Sequence, residues 1–194
     1  MALGVGGLVG GIGSLRAQSG VELAPVVGVY TALMNAIEVA DGTTAQQATA
    51  WTAGGRVSFN SLRRVGFEAT VMYTPSDVEA SAGATGGGAS IGFVNARAVF
   101  FLAPPTARAR FYLAGGGAII IRSGDFYNAF SGTTDVGANV AAGLRFSLGR
   151  VIGRAEVESY LYSVNLMSAG GFETGSQFQA DLVGSISVAI PLGG

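Results

Sequence analysis

Residues 178–192 read FQADLVGSISVAIPL, and every even position is apolar or glycine: Phe178, Ala180, Leu182, Gly184, Ile186, Val188, Ile190 and Leu192. The odd positions read Gln179, Asp181, Val183, Ser185, Ser187, Ala189 and Pro191. A period of two held over this length is the pattern of a strand with two different faces. Working back towards the N-terminus, residues 21–38, 47–60, 64–74, 88–102, 107–122, 134–148 and 151–163 alternate in the same way. The pattern predicts eight strands.

One face of each strand is apolar throughout. It carries Leu23, Val27 and Val29 on the first strand, Trp51, Val57 and Phe59 on the second, and Val65, Phe67, Val71 and Tyr73 on the third. Val94 and Phe100, then Phe111, Leu113, Ile119 and Ile121, then Val136, Val140 and Leu144, then Val157 and Leu161 continue it. No Arg, Asp or Glu falls on these faces, although 12% of the chain is charged. The opposite faces carry Glu22, Arg56, Glu68, Arg97, Arg110, Arg145, Arg154, Glu156, Glu158 and Asp181, five positive and five negative, among Gly, Ala, Ser and Tyr. A barrel closed in a bilayer turns apolar residues to lipid and polar ones to the lumen, because hydrocarbon leaves no unpaired strand edge solvated. Opposite charges at matched depth are what a narrow lumen would select, since a lone buried charge is costly. Gly28, Gly54, Gly66, Gly116, Gly137 and Gly143 would leave room there for Arg and Tyr side chains.

Composition agrees with that assignment. The chain has 194 residues, 32 of them Gly, 49% apolar, with no Lys among its 11 basic residues and a net charge of −1. A soluble eight-stranded barrel of the lipocalin kind, a ligand carrier, would bury the same apolar faces and show water roughly 25–35% charged surface. No basic footprint for nucleic acid is present. With no His and no Cys, zinc sites of the usual kind, disulfides and imidazole-based catalysis are excluded. Glu156 and Glu158 lie two residues apart on one face, about 7 Å along the strand, a spacing that resembles a carboxylate pair for acid–base work. Arg154 beside them favours charge compensation over catalysis. No motif for a metal or cofactor is found.

Connections alternate in length as in transmembrane barrels. Those near residues 61–63, 103–106 and 149–150 are short; those at 40–46, 75–87, 123–133 and 165–175 are longer and rich in turn formers. Acids gather at the long connections (Glu38, Asp41, Asp77, Glu79, Asp125, Asp135, Glu173), and Arg63, Arg64, Arg108 and Arg150 flank the short ones. Residues 1–18 are expected to be a truncated signal peptide or a flexible Gly-rich segment, and residues 19–194 a single barrel domain. Trp51, Tyr73 and Tyr112 are candidates for a sparse interfacial girdle.

The stretches FYLAGGGAIIIR (111–122), DVGANVAAGLRF (135–146) and RAEVESYLY (154–162) resemble the closing half of small bacterial outer-membrane β-barrel proteins of the OmpA-like or OmpW-like type. The resemblance implies an all-β, eight-stranded antiparallel up-and-down transmembrane β-barrel in the bacterial cell outer membrane, inserted by the barrel-assembly machinery. Those families usually end in an aromatic residue, whereas this chain ends Ile190, Pro191, Leu192, Gly193, Gly194. The function expected is non-enzymatic: a structural or anchoring barrel, its lumen closed by the Arg/Glu network and its loops displayed outside. Partners expected are the outer-membrane bilayer and, through divalent cations on the acidic loops, lipopolysaccharide. The alternatives are a narrow pore or transporter for small or hydrophobic solutes, and the soluble carrier.

Overall fold

The alternating segments become eight long strands: β1 Gly20–Ala32, β2 Ala50–Asn60, β3 Val65–Ala80, β4 Thr85–Phe101, β5 Ala109–Ser123, β6 Thr134–Leu148, β7 Val151–Val164 and β8 Gln177–Leu192. The structure, a computed structural model, describes residues 20–34, 37–38, 44–60, 64–80, 85–164, 167–168 and 176–192. The expected leader, residues 1–18, lies outside the described residues, as do Asp41 and Glu173 of the acidic connections and Arg63 of the short ones. Each strand pairs antiparallel with the next, and β8 returns to β1, with Val21 opposite Leu192 and Ala32 opposite Asp181. The sheet therefore closes into an up-and-down barrel without a free edge, which satisfies the backbone where no water is at hand.

The short connections lie at one end of the barrel, here the turn end. Gly149 and Arg150 join β6 to β7 as a two-residue hairpin; Gly149 takes φ +70° and, among the described residues, no non-glycine residue has a positive φ, the pattern of a type II′ turn. At the other end, the loop end, the connections are longer, with one correction. Residues 75–87 do not form a long loop: β3 and β4 run on as a hairpin, pairing Pro75 with Ser90 and Asp77 with Gly88 before a bulge between Asp77 and Glu79. Their alternation is hidden in the sequence because this extension rises past the apolar band, where small and polar residues suit both faces. The strands hold 11 to 17 residues, and a tilted strand needs about 9–11 to cross hydrocarbon.

The faces settle which way the barrel is dressed. Trp51 (75% exposed), Val136 (78%), Phe111 (64%) and Ile186 (62%) point outward, as do Val27, Val71, Val94, Val140 and Val157. Arg56, Glu68, Arg97, Arg154, Glu156 and Glu158 are buried inside. The lipocalin-like alternative is thereby overturned, since its wall would carry the reverse arrangement. Phe59 and Phe67 stand opposite each other on the outer wall near the turn end, with Phe100 and Phe111 on the next two strands. Trp51 and Tyr73 face outward as expected of girdle residues. Tyr112 does not: it is 1% exposed and points into the lumen.

Candidate functional site: the barrel lumen

Parity along the strands sets every inward side chain, and register between strands decides which of them meet. Glu68 on β3 is directly opposite Arg97 on β4, and Arg97 Nη2 donates to Glu68 Oε2 at 3.0 Å. The same guanidinium reaches across the lumen to both oxygens of Glu156 on β7, at 2.6 and 2.7 Å, and to Glu158 Oε2 at 3.2 Å. Arg56 Nη2 donates to Glu156 Oε1 at 2.6 Å, while its Nε donates to Thr70 Oγ1 at 3.0 Å. Arg154 donates to Glu68, whose Oε1 also accepts from Ser58 at 3.1 Å. Three arginines and three glutamates thus share one dry cluster, their side chains no more than 1% exposed. Shared, multiply bonded charges of this kind compensate one another in a low dielectric.

Two glycines let this cluster form. Tyr112, Gly143 and Glu156 occupy one cross-strand row on β5, β6 and β7. The Tyr112 ring lies over Gly143 and its phenol donates to Glu156; a Cβ at residue 143 would stand 2.3 Å from that phenol oxygen. Gly116 plays the same part between Arg97 and Asn139, allowing Arg97 Nη1 to donate to Asn139 Oδ1 at 3.3 Å. Gly143→Val is expected to displace Tyr112 from Glu156 and to lower the unfolding free energy by about 1–3 kcal/mol through overpacking. Gly184→Val, where a Cβ meets nothing within 4 Å, serves as the neutral control. The midpoint of urea unfolding in lipid measures both.

Towards the loop end the lumen changes character. Met72, Ile91, Phe93, Ile120 and Val183 are buried there on the inward faces, with Tyr30, Tyr160 and Tyr162 among them. Phe93 stacks on Tyr160 with ring centroids 4.3 Å apart. Tyr160 joins the two zones, because its hydroxyl accepts from Asn95 at 2.8 Å and donates to Glu158 at 3.0 Å. A short 3-10 turn, Tyr127–Ala129, folds over the mouth; Tyr127 is buried and its hydroxyl donates to Gln47 Oε1 at 2.9 Å. Burial pushes that phenol up to about 12.

The ten charged residues singled out in the sequence all point inward, but they do not form one network. Arg56, Glu68, Arg97, Arg154, Glu156 and Glu158 make the central cluster. Glu22 pairs with Arg145 nearer the turn end. Asp181 stands apart at the loop side, accepting hydrogen bonds from the phenols of Tyr30 and Tyr162. Arg110 has no acidic partner within 4.0 Å among the described residues; its guanidinium carbon sits 4.0 Å above the Phe101 ring. The structure adds one ion pair that sequence reading passed over, Arg122 with Asp135. Phase would have revealed it: Arg122 is in step with Arg110 and Tyr112 on β5, and Asp135 with Asn139 on β6. Among the described residues, no group of three or more Asp or Glu side chains is placed to hold a metal ion.

Aliphatic wall, closed sheet and ionic interior define a class: a small transmembrane β-barrel of eight strands. Solved structures place it more closely. The chain is similar to Neisserial surface protein A, NspA, with a TM-score of 0.61 and 11% identity over 90% of this chain and 98% of that one. It is similar to the outer membrane protein OprG from Pseudomonas aeruginosa, with a TM-score of 0.57 and 10% identity over 89% and 94%. It is also similar to the outer membrane protein AlkL, studied in DMPC lipid bilayers, with a TM-score of 0.62 and 13% identity over 99% and 97%. At such identities the likeness shows the fold: that of small bacterial outer-membrane barrels. No protein-family model matches the sequence, and no curated protein matches it.

Proposed function

We propose that this chain is a non-enzymatic structural barrel of a bacterial outer membrane, closed along its axis, anchoring its loops at the outer surface. The observation that carries this reading is the filling of the lumen by two successive packed zones. The ionic cluster occupies the middle, and the Met72, Ile91, Phe93 and Tyr160 zone occupies the loop side, under Tyr127. An eight-stranded barrel has an interior that side chains just fill, and the burial of both zones supports a closed lumen. Glu156 and Glu158 are buried and held by arginines, so neither is offered to a substrate. Location in the outer membrane, and insertion by the barrel-assembly machinery, are supported by the aliphatic wall together with the fold. The exposed acids Asp77, Glu79 and Asp125 at the loop end suit contact with lipopolysaccharide phosphates through divalent cations.

Planar-bilayer recording on the refolded protein tests the closed lumen. The expected record is silent. Steady ohmic steps would overturn the structural reading in favour of a narrow pore. Membrane fractionation with heat-modifiable gel mobility tests the location, since a folded barrel in lipid runs ahead of its boiled form.

A further inference from the structure

Summed over the lumen, arginines and acids balance, but along the axis they do not, and the imbalance has a location. The central cluster is neutral by itself, with Arg56, Arg97 and Arg154 against Glu68, Glu156 and Glu158. Nearer the turn end, Arg110 and Arg145 face the single carboxylate of Glu22. Register makes the crowding sharper. Arg110 on β5 is directly opposite Arg145 on β6, which is directly opposite Arg154 on β7. Like charges opposite each other destabilise a sheet, yet here three arginines form one inward row.

We propose that this row is a binding site for a small, multiply charged oxyanion of the phosphate type, reached from the turn end. Three independent features support it. Arg110 is 6% exposed and makes no ion pair with a described residue, so a buried cation is left for an anion to neutralise. Arg145 Nε and Arg154 Nε and Nη2 are buried donors with no hydrogen-bond partner, and guanidinium forks match the oxygens of a tetrahedral anion. Arg110 and Arg145 converge on one aromatic ring, their guanidinium carbons 4.0 and 5.8 Å from the Phe101 centroid, which holds both side chains towards the same part of the lumen. The Arg145 side chain keeps 11% of its exposure. Arg154 belongs to both groups: its Nη1 serves Glu68 in the central cluster, while its Nε and Nη2 have no hydrogen-bond partner. This site is independent of whether the barrel conducts.

The test uses the refolded full chain in a non-ionic detergent, with inorganic phosphate titrated against sodium chloride at matched ionic strength. Phosphate is expected to raise the urea-unfolding midpoint saturably and to show a broadened 31P resonance; chloride is expected to do neither. Arg110→Gln removes an unpaired like charge, so in phosphate-free buffer it is expected to be at least as stable as the parent, while its phosphate affinity falls by about tenfold or more, the order of one charge-assisted contact. Arg150→Gln, at the exposed turn, should leave the affinity unchanged. Doping the micelle with phosphatidylglycerol separates two sources of the anion. Loss of the response to free phosphate would assign the site to a lipid headgroup, and its persistence to a soluble ion. An unbroadened 31P line with the parent protein, or equal affinity in Arg110→Gln, overturns the proposal.

Discussion

Glu156→Gln is expected to lower the unfolding free energy of the barrel by about 3–5 kcal/mol, the usual loss when one partner of a buried ion pair is removed. The size follows from how many groups depend on that carboxylate. Arg56 and Arg97 both donate to it at 2.6 Å, and Tyr112 donates to it from across Gly143. Neutralising it takes from Arg56 its nearest carboxylate and from Arg97 one of three, Glu68 and Glu158 remaining, in a cluster whose side chains are no more than 1% exposed. Glu22→Gln is the informative companion, because Glu22 serves one arginine, Arg145, whose side chain keeps 11% of its exposure, and a smaller loss is expected there. Urea titration in lipid, followed by heat-modifiable mobility, gives both values. Equal losses at the two positions would show that the central cluster is not the keystone of the lumen.

Val140→Arg is expected to cost about 2–4 kcal/mol in a bilayer, whereas Leu148→Arg costs about 0–1, because the penalty for a lipid-facing charge falls from the midplane to the interface. Both side chains point outward from β6, Val140 near the middle and Leu148 at the turn end. Depth is therefore the variable that separates them. Vesicle-refolded protein titrated with urea reads the difference. If both substitutions were silent and the protein stayed dispersed without detergent, the aliphatic wall would be facing water and the membrane assignment would fail.

These two predictions draw on different kinds of information. Val140 was legible as an outward residue from alternation alone, because a strand has only two faces and the apolar one is unbroken from Leu23 to Leu192. Arg97 was legible as inward for the same reason, but its partners were not. Parity says which side of the sheet a residue occupies; stagger between strands and the tilt of the barrel decide which residues share a level. That is why Glu68, Arg97 and Glu156, far apart in sequence, converge, while Arg110 and Asp181 make no ion pair with another described residue.

The apolar half of the lumen was hidden for a different reason. In the run Ala118, Ile119, Ile120, Ile121, both faces of β5 are apolar, and periodicity cannot separate lipid contact from a packed interior. Alternation in step with Phe111 and Leu113 put Ile119 and Ile121 on the outer face; only closure of the barrel shows Ile120 packed inside with Phe93 and Tyr160. The extension of β3 and β4 past Pro75 was obscured in the same way, since above the hydrocarbon neither face has to be apolar.

By itself the sequence determined the strand number, the outward face and the sign of every inward charge, because each follows from a local two-residue period and a solvent that rejects unpaired backbone. Tertiary structure alone decided who neutralises whom, where arginine is left in excess, and that aromatic packing closes the loop side. Those outcomes depend on register around a closed ring, a property of the whole sheet that no single strand encodes.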